Sequence, residues 1–323
     1  MSKTIAVFGA GPGMGRSVAR RFGREGFRVA LVARNQARLA AFTEELAGEG
    51  IEAAGFAADF ADRDALPGVI EAITARFGPI DVLEYAPSGL DWLTRQVPVR
   101  EADAASFEFP LDLLLRTPAT LVRQLLPGML ERGDGAVLFG LPVTGTPVPP
   151  VGNVATVAAA ARAYLHNLHA DLAGTGVYAG LVQVASMVGD SDAAKYVTEN
   201  WDPGMLPEPL NPADLADALW DLYLKRDRFE EVVGLPAAEA AETRRRAETV
   251  SVIPVPATQS SRSGPETYAA RASLPPRRSA VGSMITLRCP HQVSQVARWQ
   301  QVANSSQPLR THDRFHLFAL PAT

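Results

Sequence analysis

Short apolar runs of four to eight residues alternate with longer stretches of helical periodicity through the first 235 residues of the chain. The runs Thr4–Phe8, Arg28–Val32, Glu52–Phe56, Ile80–Glu84, Ala136–Phe139, Val177–Val184 and Glu231–Gly234 predict strands. The stretches Met14–Glu25, Asn35–Glu49, Asp64–Phe77, Leu111–Glu131 and Val154–Ala173 repeat their apolar positions at three and four residues and predict helices. Strands that are apolar throughout belong in a sheet covered on both faces, and strict strand-helix alternation makes that sheet parallel. The expected fold class is therefore α/β: a doubly wound parallel sheet between two helix layers, three layers in all.

From about residue 250 both periodicities stop. The first 250 residues hold six serines and the last 73 hold ten. Charge changes at the same place, from 23 Lys and Arg against 33 Asp and Glu before it to eight Arg against two acids after it. The expected division is a folded domain over 1–245 and a Ser-, Pro- and Arg-rich extension over 246–323, irregular and largely disordered. A solvated extension, a small element built round Trp299 and Phe315, and a segment read in a shifted frame are three accounts of it. The overall net charge of −4 gives no basic footprint for nucleic acid. Without a run of about 18 apolar residues, neither a membrane span nor a signal peptide is expected. The single cysteine, Cys289, excludes an internal disulfide and a cysteine metal cluster. A cytoplasmic protein is expected.

The most informative local pattern is Gly9-Ala10-Gly11-Pro12-Gly13-Met14-Gly15, which joins the first strand to the first helix. Glycines let a chain turn sharply and let backbone amides approach a pyrophosphate, which then sits at the positive end of the helix. In a Rossmann-type fold specific for NAD, an acid near the end of the second strand takes the ribose hydroxyls. Here that place reads Ala33-Arg34. A guanidinium suits a 2′-phosphate, so NADP is expected ahead of NAD; a solvated loop arginine is the plainer reading.

With these residues, Leu31-Val32-Ala33-Arg34-Asn35, Ala58-Asp59-Phe60 and Phe77-Gly78-Pro79-Ile80-Asp81-Val82-Leu83 follow at spacings that resemble the short-chain dehydrogenase/reductase family. The likeness is dense over the first quarter of the chain and weaker to about residue 235. It implies a cofactor site of Gly9, Gly11, Gly13, Met14, Gly15, Arg34, Asp59, Phe60 and Ala86. Asp59 would bond the adenine amino group and Phe60 would lie against its ring; a helix cap and a packed aromatic are the alternatives. The resemblance also implies hydride transfer to or from a small organic carbonyl or alcohol, with no nucleic acid or membrane partner. Association as a homodimer or homotetramer through the Ala-rich helix at 154–173 is likewise implied.

The family's reaction uses a tyrosine as acid or base, a lysine four residues on that lowers its pKa, a serine on the substrate oxygen and an asparagine holding a relay water. Aligned on Ala170-Asp171-Leu172, the tyrosine falls at Val154 and the lysine at Ala158, and no Tyr-x-x-x-Lys occurs anywhere. The serine falls at or beside Leu141-Pro142, the asparagine at about Pro110, and the turn after the fourth strand reads Glu84-Tyr85-Ala86-Pro87-Ser88-Gly89. Tyr85, Thr144, Thr146 and Asn153 are candidate substitutes, each with a structural role as the plainer reading. His166 and His169, three apart, lie too far along their helix to join such a site, and no metal is expected. Ser191–Leu210, with Tyr196, Trp201 and three prolines, stands where a lid over an apolar pocket is expected. Two functions follow: an atypical NADP-dependent oxidoreductase, or a non-redox protein that binds NADP as a scaffold or sensor or reuses the pocket for other chemistry.

Overall fold

The structure is a computed structural model and describes residues 2–145, 147–200 and 208–235. The extension expected from residue 246 lies outside the described residues.

Among these residues the strands are β1 (Thr4–Phe8), β2 (Arg28–Ala33), β3 (Ala53–Ala57), β4 (Val82–Tyr85), β5 (Gly135–Pro142), β6 (Val177–Val184) and β7 (Glu230–Val233). They form one parallel sheet in the order β3-β2-β1-β4-β5-β6-β7. The helices are α1 (Met14–Arg24), α2 (Gln36–Gly48), α3 (Leu66–Phe77), α4 (Leu90–Thr94), α5 (Glu108–Leu111), α6 (Thr117–Arg132), α7 (Gly152–Asp171), α8 (Asp192–Asn200) and α9 (Pro212–Lys225). Order reverses between β1 and β4, and a crevice outside the carboxyl ends of the strands is where such sheets bind ligands.

Each sheet face carries its own core. Leu66, Ile73 and Phe77 of α3, Leu121, Leu125 and Met129 of α6, and Val157, Ala161 and Leu165 of α7 cover one face. Val18 and Phe22 of α1, Leu39 and Leu46 of α2, and Leu215, Leu219 and Leu222 of α9 cover the other. This is the three-layer arrangement expected from the chain's periodicity.

Three boundaries differ from expectation for visible reasons. β4 begins at Val82 rather than Ile80: register with β1 starts at Ile5 and Val82, and Asp81 just before it accepts the Thr4 amide on its carboxylate at 2.8 Å while its own amide donates to Thr4 O at 2.9 Å. The helix expected over 111–131 is α5, a π-helical stretch at Asp112–Arg116, and α6. Pro118 in the first turn of α6 has no N–H to give the preceding turn, which suits the change of winding there. The helix α9, absent from the expected set, starts with Asn211 accepting the Ala213 amide at 3.1 Å and Pro212 in its first turn.

Candidate functional site

The glycine turn brings its residues together by backbone geometry alone. At the end of β1, the Gly9 and Ala10 amides both donate to Val32 O, at 3.0 and 3.1 Å, and this folds the chain across β2. Gly9 takes φ +117°, and a Cβ there would lie 2.9 Å from the Ala86 and Pro87 backbone. Both its conformation and its contact therefore demand glycine. A Cβ at Gly15 would strike Gly9 O and Ala10 Cα, and one at Gly13 would press on Gly189 O at 3.1 Å. Helix α1 starts here with no side-chain cap and no acid in its first turn. The Arg16 amide donates back to Gly11 O at 3.0 Å, and the Met14 and Gly15 amides, which have no carbonyl a turn behind them in the helix, suit an anion. Met14 reaches over the sheet to Ala86, both lying within about 3 Å of the place a Cβ would take on Gly140.

Arg34, just past β2, is largely exposed and its Nη1 lies 3.0 Å from the Asp91 carboxylate of α4. One turn on, Arg38 holds Asp192 at the start of α8 with two bonds, at 2.7 and 3.2 Å. Asp59 accepts the Ala61 amide at 3.0 Å and is exposed just beyond β3. Phe60 is different. Its ring is 9% exposed and packs 5.8 Å from Phe8 and 6.0 Å from Tyr85.

The candidate catalytic substitutes are mostly committed elsewhere. Tyr85 points into the core and its hydroxyl donates to Leu113 O at 2.5 Å, burial pushing its pKa well above the usual value. Asn153 is fully buried and fully bonded. Its Oδ1 accepts the Val97 and Val154 amides at 2.9 Å each, and its Nδ2 donates to Arg95 O and Ser106 O at 3.0 and 2.8 Å. That side chain fastens segment 95–106 over the start of α7. Val154 and Ala158 both lie in the core. Thr146 lies outside the described residues, as do Trp201, Pro203 and Pro207 of the expected lid. The His166 ring stacks on Phe229 at 4.7 Å, and His169 Nδ1 lies 2.8 Å from Ala179 O.

Two polar features went unread in the sequence. On the α7 face of the sheet, Thr144, Gln183, Glu230 and Arg162 form a continuous chain. The Thr144 amide and hydroxyl both donate to Gln183 Oε1, at 2.8 and 3.0 Å. Gln183 Nε2 donates to Glu230 Oε2 at 3.0 Å, and Arg162 grips both oxygens of Glu230 at 2.7 Å. The second feature is Glu84, fully buried in β4 between Val7 of β1 and Leu138 of β5. Neither carboxyl oxygen has a hydrogen-bond partner among the described residues, and burial pushes its pKa up to about 8. At neutral pH it keeps its proton. The available signal for both was a lone polar residue inside a strand that reads apolar.

Comparison with known proteins follows the same lines. Residues 3–200 match the model of the short chain dehydrogenase family. A short chain dehydrogenase of Pseudocercospora fijiensis is 34% identical over 176 residues, which are 54% of this chain and 56% of that protein, so the chain spans little more than half of its length. An NADP-dependent 3-hydroxy acid dehydrogenase of Salmonella typhi is 30% identical over 230 residues, 67% of this chain and 87% of the relative. Among solved structures, a metagenomic short-chain oxidoreductase in complex with NADP superposes with a TM-score of 0.60 at 24% identity, covering 72% of this chain and 97% of its own.

Proposed function

Since the chain belongs to the short-chain dehydrogenase family, we propose that it is an NADP-dependent oxidoreductase acting on a small organic carbonyl or alcohol. One observation carries this reading: the uncapped N-terminus of α1 opens from a turn in which Gly9 and Gly15 each need the absence of a Cβ and Gly13 is closely packed, with Arg34 rather than an acid at the end of β2. The residues fit a dinucleotide. Backbone amides of the turn would hold the pyrophosphate, Arg34 would exchange Asp91 for the 2′-phosphate, and Asp59 would face the adenosine end. The bound nicotinamide supplies or takes hydride. The chain holds the two reactants in register at the carboxyl ends of β4 to β6, and orientation of that kind supplies on the order of 7–11 kcal/mol of a barrier. The cytoplasm as its site of action and a homodimer or homotetramer formed through exposed Ala159, Ala160 and Ala163 of α7 complete the reading.

A second reading is favoured by a specific fact: Tyr85 and Asn153, candidates to replace the family's tyrosine and asparagine, are spent on core contacts. A protein that binds NADP without turning it over, as a scaffold or sensor, needs only the turn and Arg34.

Calorimetric titration of NADPH and NADH into the full chain and an Arg34→Ala variant tests the cofactor. NADPH should bind more tightly than NADH, and the variant should lose about tenfold or more in NADPH affinity with little change for NADH, since a charge-assisted bond contributes about 1.5–3 kcal/mol. If neither nucleotide binds, both readings fall. Tight binding without NADPH oxidation across a broad carbonyl panel would select the second.

A further inference from the structure

The chain from Arg162 to Thr144 fixes the direction of every hydrogen bond along it. The Thr144 amide can only donate, so the Gln183 atom that meets it at 2.8 Å must be the oxygen. The carboxylate of Glu230, held at both oxygens by Arg162, can only accept, so the Gln183 atom facing it must be the nitrogen. Both ends therefore impose the same amide orientation. Gln183 Oε1 has no proton to give, and the Thr144 hydroxyl 3.0 Å away must spend its own proton on it. What Thr144 Oγ1 has left is lone pairs.

Position makes this matter. Thr144, itself 9% exposed, follows β5 at the carboxyl end of the sheet, between half-buried Val143 and exposed Gly145, where parallel α/β sheets hold their ligands. Gln183 is fully buried and Glu230 nearly so, and buried, fully satisfied networks of this kind hold one geometry. A hydroxyl that polarises a carbonyl has to donate to it; this one is committed inward.

We infer that Thr144 Oγ1 is a hydrogen-bond acceptor for the bound substrate, fixed in that polarity by Gln183, Glu230 and Arg162, and that the site selects a ligand presenting a donor there, a hydroxyl in particular. Thr144 would touch the substrate; Gln183, Glu230 and Arg162 position it. The inference deepens the oxidoreductase reading and rests on it. Of an alcohol and its ketone, the alcohol is then the more tightly held, since it carries the proton this acceptor lacks.

The test uses the full chain saturated with NADP+, whose binding is first measured by calorimetry. Ligand-observed NMR then gives affinities for short-chain alcohols and hydroxy acids, each beside its methyl ether, which has the same oxygen and no proton. The wild type should prefer at least one alcohol to its ether by about tenfold, the scale of one buried hydrogen bond left unmade. Thr144→Val should bring that ratio to about one and Thr144→Ser should keep it. Gln183→Leu, which frees the Thr144 proton, should shift the preference toward the ether and the matching ketone, a reversal that loss of packing alone would not produce. NADP+ binding with no pair preferring the alcohol, or with a preference that survives Thr144→Val, would overturn the inference while leaving the cofactor reading intact. Failure of NADP+ to bind would overturn both.

Discussion

The carboxyl ends of β1 and β2 and the polar chain that runs from Thr144 after β5 through Gln183 of β6 to Glu230, the first residue of β7, treat their polar groups in opposite ways. At β1 the useful groups are amides of the main chain, and glycines keep side chains out of their way, so the first turn of α1 is left open. At β5 to β7 the polar groups are side chains, and most bond one another: Thr144 to Gln183, Gln183 to Glu230, Glu230 to Arg162. A site made from backbone survives any substitution that spares its few glycines. A site made from side chains is rewritten whenever those side chains acquire other partners. At the start of α7, Val154 and Ala158 have gone into the core instead.

The contrast can be broken most sharply at Gly15. Gly15→Val puts side-chain atoms against Gly9 O and Ala10 Cα, backbone that cannot rotate away, and should cost about 4 kcal/mol. A fall of roughly 10 °C in Tm, read by circular dichroism, checks this for a domain of such size. Asn153→Ala attacks the side-chain half instead. It strips partners from the Val97 and Val154 amides and the Arg95 and Ser106 carbonyls and should cost about 3 kcal/mol by urea unfolding. Hydrogen exchange in 95–106, a connection outside the sheet, should rise well above that in the sheet.

Glu84 sharpens the comparison through pH. Its folded pKa, about 8, stands above its ordinary value of 4.5, so the native state holds a proton the unfolded chain gives up. Stability from this group is fully present below pH 4.5 and falls with rising pH until about 8, by up to ~1.4 kcal/mol per pH unit. Glu84→Leu should remove that decline and raise stability most at pH 8, as urea unfolding at pH 5 and pH 8 would show. An unchanged slope would place the proton elsewhere.

Direction and layering of the sheet were legible because they rest on apolar runs such as Val29–Ala33 in β2. The glycine turn was legible because its signal is local: glycine spacing, a strand before and a helix after. What could not be read was decided by contacts distant in sequence. Nothing within ten residues of Gln183 reveals that Thr144 lies on one side of it and Glu230 on the other, 39 and 47 residues away. Phe60 sits beside Asp59 in a motif, and its ring packs toward Phe8 and Tyr85, 52 and 25 residues away. The start of β4 was misplaced for the same reason, since the bond from Thr4 to Asp81 joins residues 77 apart.

Asn153 has a consequence for engineering. By fixing the backbone at Arg95, Val97 and Ser106 from one buried point, it makes the stretch between them a replaceable panel with permanent hinges. Arg100, Glu101, Asp103 and Ala104 are exposed on that panel. They offer positions where new side chains could be grafted beside the crevice while the frame that carries them keeps its anchorage.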